Sequence, residues 1–260
     1  MILRSITRHV ESQNWFAVWL DLFIVVFGVF IGIQVANWNE TRVDQQRTQG
    51  YLERISADLE SDIDIIEARS EFWRQVAGYG AVGLKYTNTG DAGGHSNWEL
   101  LLAYFQASQV AELLLSQSTF DELKSAGELR LIPNVDLRTG LARYYLFPAS
   151  ATVNQRPPYR EHVRGLIPVD IQNYIWDFCY ATNEVDNQQM LPCPSPIDEE
   201  SAAKIVNTIS TDVGLMNELR YWMSTEHVMG IIARGLSEGA AGLRQQVEEQ
   251  IGELAKGTEP

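Results

Sequence analysis

The chain has 260 residues, 45% of them hydrophobic and 21% charged, which is enough material for one sizeable core or two small ones. Its formal net charge is −14, and residues 1–36 contribute nothing to it because two arginines there balance two acids. A domain this acidic repels phosphate backbones and anionic lipid, so the composition argues against nucleic-acid binding.

The first predicted element is a membrane-spanning helix. Residues 16–35 read FAVWLDLFIVVFGVFIGIQV, and at about 1.5 Å per residue such a helix crosses the ~30 Å hydrocarbon layer of a bilayer. Trp15 and Trp19 flank one end and Trp38 flanks the other, at the depth where tryptophan prefers the headgroup region. No small-residue cleavage pattern follows, so residues 15–38 are interpreted as an uncleaved signal anchor.

The predicted orientation places the N-terminus in the cytoplasm and the acidic remainder in a bacterial periplasm. Two arginines precede the span and Arg42 and Arg47 follow it, so counting positive charges does not decide the orientation. The long acidic C-terminal part and a candidate disulfide decide it instead. Residues 1–14 then form a cytoplasmic segment, in which Ile2–Glu11 predicts a short amphipathic helix on the membrane surface.

Small residues mark one face of the predicted span. Gly28 and Gly32, extended by Ala36, form a small-xxx-small pattern that lets a second helix approach closely. At about 100° per residue, Asp21 and Val25 lie on the same face. A carboxylate at this depth is costly, which favours contact with a membrane protein partner or a second copy. The alternatives are incidental glycines and an aspartate that reaches the aqueous boundary or is protonated.

Helical periodicity continues beyond the span and predicts a helix from the membrane out to about Lys85. The apolar stripe of that helix consists of Val43, Leu52, Ile55, Leu59, Ile63, Ile66, Phe72, Trp73 and Val76. Residues 39–255 are predicted to form an acidic helical domain outside the membrane, and residues 256–260 a flexible tail. The fold class is therefore mainly α: one N-terminal transmembrane helix continues into a long helix that packs in an extramembrane helical bundle.

Local signals place the elements that follow the long helix. Ser96 and Glu99 form a capping-box pattern before the apolar run 100–115, which predicts a helix there. A shorter helix over residues 120–125 is predicted to end at Gly127, and residues 130–132 are predicted to be extended. Asn134 then opens another helix.

The C-terminal part is predicted to be helical on both sides of a cysteine loop. One helix covers residues 171–178, and two follow Asp198, the last of them from about residue 215 to residue 255. The candidate core positions of that last helix are Leu219, Trp222, Met223, Ile231 and Leu236.

Two cysteines, Cys179 and Cys193, flank a polar segment that ends in a proline-rich stretch. Zinc would need more ligands at closer spacing, so a structural zinc site is excluded. The spacing favours a disulfide that closes a loop, provided that the compartment is oxidising. The alternative is a pair of unrelated thiols, one of them buried.

The sequence contains little that resembles a catalytic pattern. Residues 78–83 match the spacing G-x-G-x-x-G, but no strand precedes them, so they indicate a loosened helix end and not a nucleotide site. The four histidines, at positions 9, 95, 162 and 227, are scattered, and neither HExxH nor a phosphate-binding loop is present. We therefore expect no catalytic residues, no cofactor and no metal.

Two blocks of the sequence resemble a family of uncharacterised bacterial single-pass membrane proteins. In that family an acid opens the span, a glycine-containing core follows, and W-N-E closes it; here these are Asp21, residues 28–32 and residues 38–40. Members more often carry glutamate where this chain has Asp21. The second block, STFDELKSAG, resembles the family's T-[FY]-x-E-L-K-x-x-G segment over residues 119–127. The resemblance implies topology, a helical fold and a bacterial origin, and no mechanism.

The leading functional hypothesis is a membrane-anchored, non-enzymatic interaction or assembly protein, whose partners are the lipid bilayer and a membrane protein or second copy. One alternative is a subunit of an ion-motive membrane complex that uses Asp21, since stator subunits share a single span with an aspartate. Another is a periplasmic sensor, which would have to act through a partner because few residues precede the span.

Overall fold

The computed structural model describes residues 15–146, 156–184 and 187–256, without the side chains of residues 15–18, 21, 183, 184 and 187. The described residues form eight α-helices and one two-stranded hairpin, which confirms the mainly α fold class. The chain divides into two compact units, residues 1–51 and residues 52–260. The predicted surface helix at Ile2–Glu11 and residues 257–260 of the predicted tail lie outside the described residues, whereas Lys256 still belongs to the last helix.

The first helix, α1, runs from Trp15 to Thr89 and continues through the glycines of the G-x-G-x-x-G match. The prediction of a loosened helix end at those glycines is wrong. Two of the glycines have a packing role, because a Cβ atom at Gly80 would collide with the sulfur of Met223 and one at Gly83 would stand 2.7 Å from the ring of Tyr104. Both glycines let α1 approach its neighbours closely.

Most of the predicted apolar stripe of α1 is buried in the second unit. Its buried members are Leu52, Ile55, Leu59, Ile66, Phe72, Trp73 and Val76. Val43, which was predicted to belong to this stripe, is not buried: it lies in the first unit, and its side chain is 44% exposed. Ile63 is only half-buried, whereas the preceding residue, Asp62, is fully buried.

The second helix, α2, covers Asn97–Gln106 and begins with the predicted capping box. The Ser96 hydroxyl accepts from the main-chain N–H of Glu99 at 3.2 Å, while the Glu99 carboxylate accepts from the main-chain N–H of Ser96 at 2.7 Å. The helix ends earlier than predicted, because residues 107–117 leave the helical path.

Side chains from other elements hold the segment 107–117. Trp222 Nε1 donates to the carbonyl of Ala107, at 3.0 Å, and Arg160 donates to the carbonyl of Ser108, at 2.7 Å. A buried irregular segment needs such partners, since its main-chain groups lack a helical ladder. Because side-chain donors satisfy these carbonyl groups, the segment does not need to continue the helix that the apolar run predicts.

Three short elements follow. Helix α3 covers Ser118–Ser125 and ends as predicted at Gly127, whose φ is +70°. A 3-10 turn at Leu129–Leu131 stands where residues 130–132 were predicted to be extended, so that prediction is wrong except at Ile132, which is extended. Helix α4, Val135–Leu146, begins where the side chain of Asn134 accepts from the main-chain N–H groups of residues 136 and 137.

The cysteine region contains an unpredicted β-hairpin. Helices α5, Pro158–Gly165, and α6, Val169–Phe178, lead into strand β1, Tyr180–Glu184, which pairs antiparallel with β2, Asn187–Met190. Tyr180 faces Met190 in the register.

The chain ends with two helices. Helix α7 spans Glu199–Thr211 and is capped by the Asp198 side chain, which accepts from the main-chain N–H of Ser201 at 2.8 Å. Helix α8 spans Val213–Lys256 and has Leu219, Trp222 and Leu236 in the core, as predicted. Two candidate positions differ, because Met223 is only half-buried and Ile231 is 55% exposed.

Candidate functional site

The apolar segment of α1 is uncovered. Every side chain from Leu22 to Val35 is exposed, as are Trp19 and Trp38 on either side of it. Within α1 an 18-residue window reaches a mean hydropathy of 1.8 with none of its residues buried. Length and composition therefore make this helix able to span a membrane.

The predicted contact face of the span is equally open. Val25 and Ala36 are exposed, and no atom of the described residues lies within 4 Å of a Cβ placed at Gly28 or Gly32. The backbone of Asp21 belongs to α1, but its side chain and that of Trp15 lie outside the described part of the structure.

A disulfide joins Cys179, directly before β1, to Cys193, beyond β2. Two side chains of α2 attach this loop to the bundle. Gln106 Nε2 donates to the carbonyl of Cys179 and Trp98 Nε1 donates to that of Cys193, each at 3.0 Å. The disulfide and these bonds fix both ends of the hairpin.

A groove of about 590 Å³ opens between α1 and α8 in the second unit, and we call it the Glu226 groove. It is lined by Ile66, Glu67, Ser70, Glu71, Trp73, Arg74, Ala77, Glu226, His227, Gly230, Ile231, Ala233, Arg234 and Ser237. Its size is within the range of small-molecule sites.

Glu226 is the unusual residue of this groove. Its side chain is 3% exposed, and neither carboxylate oxygen has a hydrogen-bond partner among the described residues. Burial raises the pKa of Glu226 to about 8, because removal from water disfavours the charged form. A buried acid without a partner is rare in proteins, since an unpaired charge or polar group in the interior is costly.

A second buried acid, Asp62, has partners. Its oxygens accept from the main-chain N–H of Ser116, at 2.7 Å, and from the hydroxyl of Tyr144, at 3.0 Å. Burial, only partly offset by these two bonds, raises the pKa of Asp62 to about 6. The Asp62 network therefore ties α1 to α4 and to the segment before α3, which is a structural role.

No metal centre is built among residues 15–146, 156–184 and 187–256, where no three histidine, cysteine, aspartate or glutamate side chains converge. His162 stands between two acids, 3.1 Å from Glu218 and 3.5 Å from Asp212, but the acids contact opposite nitrogens of its ring and so do not converge on one ion.

Neither Glu226 nor Asp62 is among the predicted site residues, although the sequence carries a signal for each. The buried residues of α8 recur at helical spacing as Leu219, Trp222, Glu226, Met229, Ala233, Leu236 and Ala240. In α1 the same spacing joins Leu59, Asp62 and Ile66. An acid in a core position of a helical stripe is therefore the pattern that would have revealed both residues.

Comparison with models of known protein families, with curated proteins and with solved structures finds no match for this chain. The resemblance to a bacterial family of single-pass proteins stays a prediction.

Proposed function

We propose that this chain is a membrane-anchored, non-enzymatic assembly protein whose span packs on a membrane protein or on a second copy. The observation that carries this proposal is the exposure of all side chains from Leu22 to Val35 in a chain that buries most of its other large apolar residues. At about 25 cal/mol per Å² of apolar surface, such a segment is unfavourable in water and requires lipid or protein around it.

The small residues support a contact between helices within the membrane. Gly28 and Gly32 lie one turn apart and have free space beside them, so a second helix could approach the backbone of α1 at that face. Close packing of this kind brings two helices together without a hydrophobic driving force, which is absent inside lipid.

The finer topology belongs to the same proposal: a bacterial inner membrane, a cytoplasmic N-terminus and a periplasmic bundle. The disulfide between Cys179 and Cys193 supports the orientation, because disulfides persist in oxidising compartments. Alkaline phosphatase fused after Lys256 should be active in a bacterial host, since this enzyme folds only outside the cytoplasm. An inactive fusion present at normal levels would reverse the orientation.

The assembly itself is tested by cross-linking in native membranes, followed by purification of the tagged full chain. Wild type is compared with Gly32→Ile and Asp21→Asn, which change the predicted contact face. Val26→Phe is the matched control, because it adds bulk roughly 140° away around the helix. Loss of a cross-linked species in Gly32→Ile, with retention in Val26→Phe, supports the proposal. The same cross-linked pattern in all four proteins refutes it.

A further inference from the structure

We propose that the Glu226 groove binds a small organic cation, an ammonium or guanidinium group on an apolar body, with the Glu226 carboxylate as its counter-charge. The groove lies entirely within residues 52–260, so this inference does not depend on the membrane assembly.

The Glu226 carboxylate indicates which chemical group the ligand carries. Both oxygens of Glu226 lack a hydrogen-bond partner among the residues that the structure describes, although the side chain is almost completely buried. Once ionised, the carboxylate accepts hydrogen bonds and donates none, so a ligand that stabilises the ionised form must be a donor. Bonds from a charged donor are about twice as strong as neutral ones, which favours an ammonium or guanidinium group.

The walls of the groove suit an apolar body attached to that cation. On α1 the lining includes Ile66, Trp73 and Ala77, and on α8 it includes Ala233 and Ile231. Ile231 is exposed, so a ligand in the groove would cover it from water. Ligand sites commonly combine such apolar walls with one or two polar groups that fix the orientation of the ligand.

The other charged residues that line the groove also influence which sign of charge the ligand carries. Glu67, Glu71 and Arg74 line the groove from α1, and Arg74 forms an ion pair with Glu71. His227 and Arg234 line it from α8 and are exposed. The Arg74 charge is thus compensated locally, and the net charge of −14 attracts cations over a longer range.

Binding of a cation should also release a proton. Because burial raises the pKa of Glu226 to about 8, the free groove holds a neutral acid at pH 7. A bound cation stabilises the ionised form and displaces the proton to the buffer. This proton release distinguishes a bond to Glu226 from simple apolar binding.

The test is calorimetric titration of the full chain in lipid nanodiscs with three probes of one shape: benzylammonium, benzyl alcohol and benzoate. We expect benzylammonium to bind best and to release about one proton at pH 7, read from the difference between phosphate and MOPS buffers. Glu226→Gln should weaken benzylammonium binding by about tenfold or more. Glu238→Gln, which removes an exposed carboxylate from the same helix, should leave it unchanged.

A pair of glycine variants tests the location independently of charge. In the part of the chain that the structure describes, no atom lies within 4 Å of a Cβ at Gly230 or Gly239, but of these two glycines only Gly230 lines the groove. Gly230→Leu should therefore abolish benzylammonium binding, whereas Gly239→Leu should not. Equal binding of the three probes, equal affinity in Glu226→Gln and wild type, or undiminished binding in Gly230→Leu would each overturn the proposal.

Discussion

The ring of Tyr104 occupies the space beside Gly83 that a side chain at position 83 would need. The Tyr104 hydroxyl donates to the main-chain carbonyl of Gly83, at 2.9 Å, and lies 2.7 Å from the hydroxyl of Thr87. Tyr104 is fully buried. Helices α1 and α2 therefore pack so closely at this point that any side chain at position 83 would collide with the Tyr104 ring.

Gly83→Ala should lower the free energy of unfolding by about 1–3 kcal/mol, because the added methyl group collides with a buried ring. Gly78→Ala is the control, since Gly78 lies on the same helix and no atom of the described chain is within 4 Å of a Cβ at that position. It should be neutral or stabilise by up to ~1 kcal/mol through helix propensity. Urea unfolding of the full chain in detergent measures both, and equal effects of the two substitutions would contradict the packing argument.

Stability should fall as the pH rises from 6 to 8, because of Glu226. The pKa of this acid is about 8 in the folded protein and 4.5 ordinarily, so the unfolded chain loses its proton first. The stabilisation that comes from protonated Glu226 is therefore fully present below pH 4.5 and is lost as the pH rises to the folded-state pKa of about 8. Wild type should lose about 2 kcal/mol relative to Glu226→Gln between pH 6 and pH 8.

The measurement for Glu226 is the difference between the two proteins in thermal or urea unfolding at each pH. Other titrating groups are present in both proteins and cancel in that difference. Asp62, whose pKa is about 6, adds a similar fall at lower pH, and it too is common to both. A difference that does not change with pH would show that Glu226 is not buried as described.

Two adjacent tyrosines should respond differently to removal of the hydroxyl group. Tyr144 donates to Asp62, whereas the buried hydroxyl of Tyr145 has no hydrogen-bond partner among the described residues. At pH 7, Tyr144→Phe should cost about 1.5–3 kcal/mol, the range for a hydrogen bond to a charged group. Tyr145→Phe should be neutral or slightly stabilising. Unfolding curves at pH 7 decide this, and a larger loss in Tyr145→Phe would contradict the Asp62 network.

The disulfide should contribute about 3 kcal/mol, the value expected for closing a loop of about 15 residues. The double variant Cys179→Ser, Cys193→Ser should be less stable than wild type by that amount in oxidising buffer. With excess reductant the two proteins should unfold alike. Equal stability before reduction would mean that the disulfide adds nothing to the hydrogen bonds that already hold the hairpin, among them those from Trp98 and Gln106.

Helix ends can be predicted from the sequence where the residues that cap them are close neighbours along the chain. The capping box of Ser96 and Glu99 and the glycine at 127 are such cases, because each bonds within a single turn. The long apolar run of α1 is another, since length and hydropathy alone identify a helix able to cross a bilayer.

The features that sequence reasoning missed depend on residues far apart in the chain. Residues 107–117 leave the helix because donors such as Trp222 and Arg160, more than 40 positions away, satisfy their carbonyl groups. The Glu226 groove likewise exists only because α1 and α8 lie side by side. Hydrophobic periodicity establishes which face of a helix is buried, but the packing of distant elements decides what each buried polar atom contacts. Here that packing leaves the Glu226 carboxylate without a hydrogen-bond partner among the described residues.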